Sequence, residues 1–314
     1  MSTNIFYTDI ISEVEDNVNE PLYRTLAKAE NIVINTQDLR KKMYKYYLSV
    51  GKLAQAKAVM ECGNFLMFKT YEDKDRTSQL SRANFCKNPL CPMCAWRKHL
   101  RHSAVMSHAL NSVQGKLSHL VLAVPNTDTI TKERLMYLKE RGKTFIQQKM
   151  NTNDYVINLE IVASEKGFHP HLHILLRTDD YFKVSEDTIR NYSELWKRHF
   201  AKKDTYNYTR EYEGYTFYIR GLNANSVEDM QKIILETTKY ILKSEVSVSQ
   251  ELVGQTLTAI HGVRKMSSAG AFKEAIKKGK LLAIKEADER LNELSKYNWV
   301  WEIFNFINGK YVKK

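Results

Sequence analysis

The segment Phe168-His-Pro-His-Leu-His-Ile-Leu-Leu constrains the fold more than any other part of the chain, because it places three histidines at alternate positions. Successive side chains of a β-strand point to opposite faces, so His169, His171 and His173 share one face and the apolar residues between them enter the core. Two imidazoles at positions i and i+2 of a strand can bind one divalent cation. The spacing therefore predicts a strand with one metal-binding face.

A carboxylate is expected beside these histidines. The residues Glu165-Lys166-Gly167 predict a hairpin turn, so paired positions in the two strands have numbers that sum to roughly 331–333. Glu160 then lies opposite His171 or His173. Two histidines and one carboxylate leave metal positions open for a substrate oxygen, which is typical of a catalytic site. The alternative is a solvated strand face without metal; His119 can reach the same face as a packing residue or a supporting one.

The order of elements around this strand predicts the fold class. Apolar periodicity, turn residues and helix caps such as Ser185 predict the following run of strands and helices: strand 117–124, helix 131–149, strands 155–163 and 169–176, helix 185–200, one or two strands within 205–220, and helix 226–243. This β-α-β-β-α-β order matches an α+β fold with an antiparallel sheet and a ferredoxin-like split βαββαβ core. The predicted domains are an N-terminal tail and helical region (1–60), a cysteine-rich module with a basic helix (61–112), the sheet domain (113–250) and a C-terminal helical region (251–314), whose aromatic end forms a hairpin or a docking helix.

All four cysteines, Cys62, Cys86, Cys91 and Cys94, fall within one short stretch. Such clustering in a cytoplasmic protein favours a metal over disulfides, and the Cys-Pro-Met-Cys end supplies a tight knuckle. Four thiolates form a closed, structural zinc site. Two alternatives stay open: four buried free thiols, or a site in which His99 or His102 replaces one cysteine.

A basic helix follows the cysteines over residues 95–110. Arg97, Lys98 and Arg101 are candidates for contacts with nucleic-acid phosphates. The alternative is an ordinary solvated helix face.

A second candidate site lies on the predicted helix that ends at Lys243. Glu236 and Tyr240 are four residues apart and therefore share one face, with Lys243 one turn further along. A phenol is a weak nucleophile near neutral pH unless a metal-bound phosphate or a cation assists it. A carboxylate one turn away can act as a base towards the phenol or towards water. Taken alone, this pattern is usually a solvent-exposed helix face without a function. Its position directly after the histidine strand favours a functional role.

Charge indicates the class of partner. The net charge is +12, which favours polyanions, since each phosphate neutralised by lysine or arginine releases counterions. The apolar runs are too short for a membrane helix, and the polar, acidic N-terminus is unlike a signal peptide. We therefore expect a cytoplasmic protein that has no membrane partner.

Five segments resemble a known family over residues 60–275: Cys62-Gly63, residues 84–97 (NFCKNPLCPMCAWR), residues 169–173 (HPHLH), residues 236–243 (ETTKYILK) and residues 264–275 (RKMSSAGAFKEA). The chain resembles the rolling-circle plasmid replication initiators of the HUH endonuclease superfamily, in the single-tyrosine class of Gram-positive plasmids. The superfamily's first motif is matched only loosely, by residues 120–126.

The resemblance implies a role for each part of the site. His171 and His173 bind Mg²⁺ or Mn²⁺ with Glu160 as third ligand, and His169 belongs to the extended motif. Tyr240 attacks a phosphodiester at the plasmid origin, which gives a 5′-phosphotyrosine link and a free 3′-OH primer. The other implied roles belong to the helix that carries the tyrosine: Glu236 activates water at termination, and Lys239 or Lys243, the latter favoured by helical spacing, steadies the phosphate.

The implied partners are origin DNA that is single-stranded at the nick and a host helicase and polymerase, and a homodimer is left open. Three other functions are weighed: an HUH transposase or relaxase, a non-catalytic zinc-containing DNA-binding regulator, and a metallohydrolase of small molecules. Transposases and relaxases typically carry paired tyrosines or extra domains. A non-catalytic regulator would leave the histidine cluster unexplained, and a hydrolase of small molecules would leave the positive charge unexplained.

Overall fold

The computed structural model describes the chain in eight stretches: residues 22–73, 75–164, 166–178, 185–201, 214–222, 234, 242–244 and 249–314. The chain divides into two compact units, each assembled from segments that are distant in sequence. The first unit comprises residues 1–104, 249–253 and 281–314. The second comprises residues 105–248 and 254–280.

The described residues form a mixed α+β fold. Its helices are α1 (Leu22–Asn35), α2 (Gln37–Ser49), α3 (Leu53–Met60), α4 (Pro92–Ser112), α5 (Lys132–Lys149), α6 (Glu186–Ala201), α7 (Gln250–Ala259) and α8 (Gly270–Leu294). Its strands are β1 (Phe65–Tyr71), β2 (Ser78–Ala83), β3 (Lys116–Ala123), β4 (Tyr155–Ser164), β5 (Gly167–Thr178), β6 (Thr216–Leu222), β7 (Leu242–Ser244), β8 (Met266–Ala269), β9 (Trp299–Ile307) and β10 (Lys310–Lys313).

The sheet of the first unit has the strand order β10-β9-β1-β2, and all neighbours are antiparallel. Alternation along β1 buries Leu66 and Phe68. Phe304, opposite Leu66 on β9, is buried on the same face. The ring of Phe304 meets that of Phe68 edge-on at 6.0 Å. This face of the sheet therefore forms part of the core of the first unit.

The sheet of the second unit has the order β6-β3-β5-β4-β7, and β8 also pairs with β4. Every pairing is antiparallel except that of β7 with β4, which is parallel. An alanine β-carbon at Gly142 of α5 would lie against the side chain of Leu172 on β5, so this helix packs directly on the sheet. Trp196 of α6 is fully buried and donates its indole N–H to the carbonyl of Ala123 on β3 at 2.7 Å.

Local sequence signals fix the starts of both helices. The Thr131 hydroxyl accepts a hydrogen bond from the backbone N–H of Arg134, and that of Ser185 accepts one from Thr188 at 3.1 Å. Each cap satisfies one of the N–H groups that lack a partner inside the helix. The predicted helices 131–149 and 185–200 are thereby confirmed to within one residue.

One prediction needs correction. The predicted helix that ends at Lys243 is wrong at its end, because residues 242–244 form strand β7 and bond to the edge of β4. The C-terminal region contains the predicted helices, α7 and α8, together with strand β8, and its aromatic end forms the hairpin of β9 and β10, one of the two predicted forms. The helical prediction for the N-terminal region holds over the part described, α1 to α3, and residues 1–21 lie outside the described residues. Among the helices described, none is both long enough and apolar enough to cross a bilayer.

Candidate functional site

The histidine strand and its carboxylate are brought together by the β4–β5 hairpin. Glu160 lies directly opposite His171, and Asn158 lies opposite His173, so the numbers of paired residues sum to 331, within the expected range. Because paired residues share a face, the imidazoles and the carboxylate lie on one face, opposite the one on which Leu172 packs against α5.

Three side chains on this face offer converging ligand atoms. Nε2 of His173 lies 2.8 Å from Oε2 of Glu160, and Nδ1 of His171 lies 3.8 Å from the same oxygen. One ligand atom from each of the three lies within 4.8 Å of the others. Ligands bound at about 2.1 Å to one ion are separated by roughly 3 Å when adjacent and roughly 4 Å when opposite, so these spacings suit a single small cation.

Burial supports the same interpretation. Glu160 is only 4% exposed and His173 only 6%. Among the described residues, the Nε2 atoms of His169 and His171 are buried without a hydrogen-bond partner. Buried polar atoms normally have a partner, so nitrogens of this kind are typical of a site that binds an additional group.

Two further histidines support the cluster. His119 of β3 stacks on His173 with an angle of 7° between the rings, and its Nε2 lies 3.3 Å from His173 Nδ1. A hydrogen bond at Nδ1 leaves Nε2 to face Glu160, as expected for a metal-binding imidazole. Burial, with a smaller effect from the charge of His171, lowers the pKa of His169 to about 4, so this ring is neutral near pH 7.

Three residues missed by the sequence reasoning lie on the same face. Asn158 is fully buried beside Glu160. On β6, Tyr218 pairs with Val121 and Arg220 pairs with His119, which extends the face by a phenol and a cation. Because Asn158 is two positions from Glu160, two-residue alternation along β4 predicts that both side chains lie on the same face. No sequence signal identifies the β6 residues, because their face depends on the register with β3.

Part of the predicted tyrosine site lies outside the described residues, namely Glu236, Lys239 and Tyr240. Lys243 is described as part of β7, where it pairs with Val162, two positions from Glu160. The helical spacing that favoured Lys243 over Lys239 therefore does not apply.

The four cysteines form a second cluster. Sγ of Cys62 lies 3.6 Å from that of Cys94 and 3.4 Å from that of Cys91, and the Cys86–Cys94 separation is 3.7 Å. A disulfide requires about 2.05 Å, so all four are free thiols. Four sulfurs around one Zn²⁺ at about 2.3 Å would be separated by about 3.8 Å, close to these distances.

The backbone around the cysteines also suits a metal. The N–H groups of Cys86 and Lys87 point at cysteine sulfurs, at 3.4 Å and 3.2 Å, and Lys87 adopts a left-handed conformation with φ 58°. Hydrogen bonds among the thiols, with a contribution from the Lys87 N–H, lower the pKa of Cys94, which favours the thiolate that a metal binds. The buried Arg40 guanidinium donates to the carbonyls of Cys62 and Met60 and helps to hold this segment.

The basic helix α4 presents its three cations differently. The Arg97 guanidinium lies over the Phe85 ring at 4.1 Å, and burial lowers its pKa, with a smaller effect from Arg101. Lys98 and Arg101 are exposed. The latter two are therefore the better candidates for phosphate contacts.

Comparison with known proteins agrees with these features. A family model described as a replication protein, Rep_1, matches residues 77–306. A "Protein rep" from Lentilactobacillus hilgardii is 28% identical over 90% of this chain and 89% of its own length. Another, from Streptococcus pneumoniae serotype 2, is 26% identical over 82% and 83%.

No solved structure matches the chain. The family model nevertheless covers more than half of it, including Cys86, Cys91 and Cys94 as well as the histidine strand. The chain therefore belongs to the Rep_1 family of replication proteins, which confirms its resemblance to rolling-circle plasmid replication initiators.

Proposed function

We propose that this protein initiates rolling-circle replication of a plasmid by nicking one strand at the origin with a tyrosine nucleophile. The observation that carries the proposal is the cluster of Glu160, His171 and His173, whose ligand atoms converge within 4.8 Å on one face of a sheet. Such an open set of two imidazoles and one carboxylate is suited to catalysis rather than to structure.

The topology of the second unit supports an HUH core. The strands that the sequence predicts as a βαββαβ unit are β3, β4, β5 and β6, and they occur in the sheet in the order β6-β3-β5-β4. In a ferredoxin-like split arrangement, the first and third strands are likewise central and antiparallel. The histidines lie on the central β5, where their positions are fixed by pairing on both sides.

Chain connectivity supports Tyr240 as the nucleophile. Leu242 pairs with Ile161, the neighbour of Glu160. Tyr240 comes two positions before Leu242 in the chain, and this closeness in sequence to β7 supports it as the nucleophile.

The proposed reaction follows from these groups. The Tyr240 oxygen attacks the scissile phosphorus as its phenol proton passes to solvent, the bond from phosphorus to the 3′ oxygen breaks, and that oxygen takes up a proton from solvent to give a free 3′-OH. The 5′ phosphate stays on Tyr240 as a phosphotyrosine ester. At termination, Glu236 takes a proton from a water molecule, whose oxygen attacks the phosphorus. The bond from phosphorus to the Tyr240 oxygen then breaks, and the phenol regains its proton. Lys239 or Lys243 stabilises the phosphate charge.

The chain's own residues also position the reacting groups. Glu160, His171 and His173 would hold Mg²⁺ or Mn²⁺, which when bound supplies Lewis-acid polarisation of the phosphate. His119 orients His173 through the ring–ring hydrogen bond, and His169 supports the face beside His171. The four cysteines would hold Zn²⁺ as a structural ion that anchors the start of α4.

The proposed partners follow from the same function. Origin DNA must be single-stranded at the nick, and Lys98 and Arg101 would contact its phosphates, whereas Arg97 packs on the Phe85 ring. A host helicase and polymerase are required, because nicking provides a primer but separates no strands. A homodimer remains compatible with this scheme.

One assay tests the proposal. The protein is incubated with Mn²⁺ and a labelled single-stranded origin oligonucleotide, and a denaturation-resistant protein–DNA adduct is measured. We expect the wild type and Tyr218→Phe to form the adduct and Tyr240→Phe to form none. Tyr218 is the matched control, because it is an exposed tyrosine on the histidine face. An adduct with Tyr240→Phe would show that another tyrosine is the nucleophile.

A second variant tests termination. We expect Glu236→Ala to nick but to release its covalent product slowly, because no base activates water. A variant that releases product at the wild-type rate would remove this role from Glu236. A protein that binds origin DNA but never forms an adduct would instead be the non-catalytic regulator.

A further inference from the structure

One face of the sheet in the first unit exposes two tryptophans. Trp299 and Trp301 of β9 are 41% and 46% exposed, and their rings meet at 4.9 Å with an angle of 73°. Because they are two positions apart in a strand, both lie on the face opposite the buried Phe304. Large aromatic side chains that stay this exposed indicate a surface that contacts a partner.

Cations surround these rings. Lys69 of β1 pairs with Trp301, and its Nζ lies 4.3 Å from the ring centroid of Trp299. On β2, Arg82 is exposed and pairs with Met67, two positions from Lys69 along β1. The pairing register therefore places a lysine and an arginine on the face that carries the tryptophans.

Acidic groups are absent from this face within the four strands, all of whose residues are described. Their one carboxylate, Glu302, is buried on the opposite face, where it accepts hydrogen bonds from Thr70 and Lys313, each at 2.6 Å. The tryptophan face is thus both aromatic and positively charged. A partner that suits it must be anionic and must offer flat, unpaired rings.

We infer that this face binds single-stranded DNA by stacking bases on Trp299 and Trp301 while Lys69 and Arg82 neutralise the adjoining phosphates. Stacking on aromatic side chains combined with a cationic surface is how proteins hold single strands without reading their sequence. The inference rests on the proposed function, since a nicked origin releases a single strand. It assigns that strand a contact surface in the unit that lacks the histidine cluster.

The test uses labelled oligo-thymidylate, which has no origin sequence and no internal pairing, and measures its affinity by fluorescence anisotropy. We expect the double variant Trp299→Ala/Trp301→Ala to bind at least tenfold more weakly, since each stacked base contributes about that factor or more. The variant Trp299→Phe/Trp301→Phe should stay within a few fold of wild type, because phenylalanine also stacks.

Tyr23→Ala is the matched control. Tyr23 is also an exposed aromatic beside a cation, Arg24, but it lies on α1, so its loss should leave the affinity unchanged. Lys69→Gln and Arg82→Gln should each reduce the slope of log affinity against log salt by about 0.7.

Tryptophan emission gives an independent measurement. Only two of the chain's four tryptophans lie on this face. A stacked base quenches indole fluorescence, so oligo-thymidylate should quench the wild type but have little effect on the phenylalanine variant, although that variant still binds.

Three results would overturn the inference. The alanine variant could bind oligo-thymidylate as tightly as wild type, or duplex DNA could compete as well as single strands. Alternatively, the alanine variant could change only the sedimenting mass, which would make the face a protein contact. A wild type that forms no covalent adduct with origin DNA would refute the proposed nicking but would leave these comparisons intact.

Discussion

Replacing Gly167 by alanine perturbs the hairpin that sets Glu160 opposite His171. Gly167 has a left-handed φ of +89°, and an alanine β-carbon there would lie 2.5 Å from the backbone oxygen of Thr127. A backbone oxygen cannot rotate away as a flexible side chain can. Thr127 and Phe168 exchange two backbone hydrogen bonds, of 2.9 Å and 2.8 Å, so relief of the clash must stretch or break them.

The size of the effect follows from these contacts. A left-handed alanine costs about 1–2 kcal/mol, of which about 0.4–1 kcal/mol is offset because the unfolded chain loses freedom. Loss of two hydrogen bonds adds about 1–3 kcal/mol. We expect Gly167→Ala to lower the free energy of unfolding by about 1–5 kcal/mol. The strained hairpin should also weaken Mn²⁺ binding by the residues paired across it.

Gly262→Ala is the matched control. Gly262 has a similar φ of +74°, but its nearest neighbour would be the flexible end of Lys132, at 3.2 Å. Both glycines belong to the second unit, so urea unfolding follows the same transition. We expect the control variant to lower the free energy of unfolding by about 1 kcal/mol and to bind Mn²⁺ normally. Equal destabilisation by the two variants would refute the reasoning, because the backbone clash would then contribute nothing.

Three other predictions concern the two candidate metal sites and the sheet of the first unit. Glu160→Gln should weaken Mn²⁺ binding at least tenfold in calorimetry, since a neutral amide replaces a charged ligand; unchanged affinity would remove it from the site. Cys91→Ser should lower both the zinc content, measured by atomic absorption, and the melting temperature, whereas a wild type that melts identically with and without zinc would argue against a structural ion. Glu302 is partly desolvated, which raises its pKa, but hydrogen bonds from Lys313 and Thr70 outweigh this and hold the pKa below its usual value. The stabilisation that the Glu302 carboxylate contributes is therefore present above its unfolded-state pKa and is lost as pH falls through its folded-state pKa. Glu302→Gln should lower the free energy of unfolding by about 1 kcal/mol at neutral pH and by almost nothing in acid. An equal loss of stability at both pH values would contradict this.

Local patterns predicted a large part of the fold. Helices α5 and α6 have side-chain caps and apolar faces, and each is confirmed to within a residue at both ends. The β4–β5 hairpin has a turn that is recognisable in the sequence, and counting residues from that turn correctly predicts that Glu160 lies beside the histidines.

Other elements were missed because distant partners create them. Strand β1 pairs with β9, more than 200 residues away, and neither strand has a sequence signal for that pairing. Residues 242–244 continue a helical pattern, yet they form β7 because the edge of β4 offers hydrogen bonds to them. Tertiary pairing overrides a weak local preference, since intrinsic propensities differ by less than about 1 kcal/mol per residue for most residue types.

The sequence by itself determined which side chains can carry the chemistry, because residue type, two-residue alternation and a tight turn are local properties. It placed Glu160, His171 and His173 together, and it identified the four cysteines as one group. Only the tertiary structure decided that His119 stacks on His173, that Arg220 and Tyr218 extend the same face, and that Lys243 lies in a strand. These relations depend on the register between strands remote in sequence, which is set by how the whole sheet buries its apolar face.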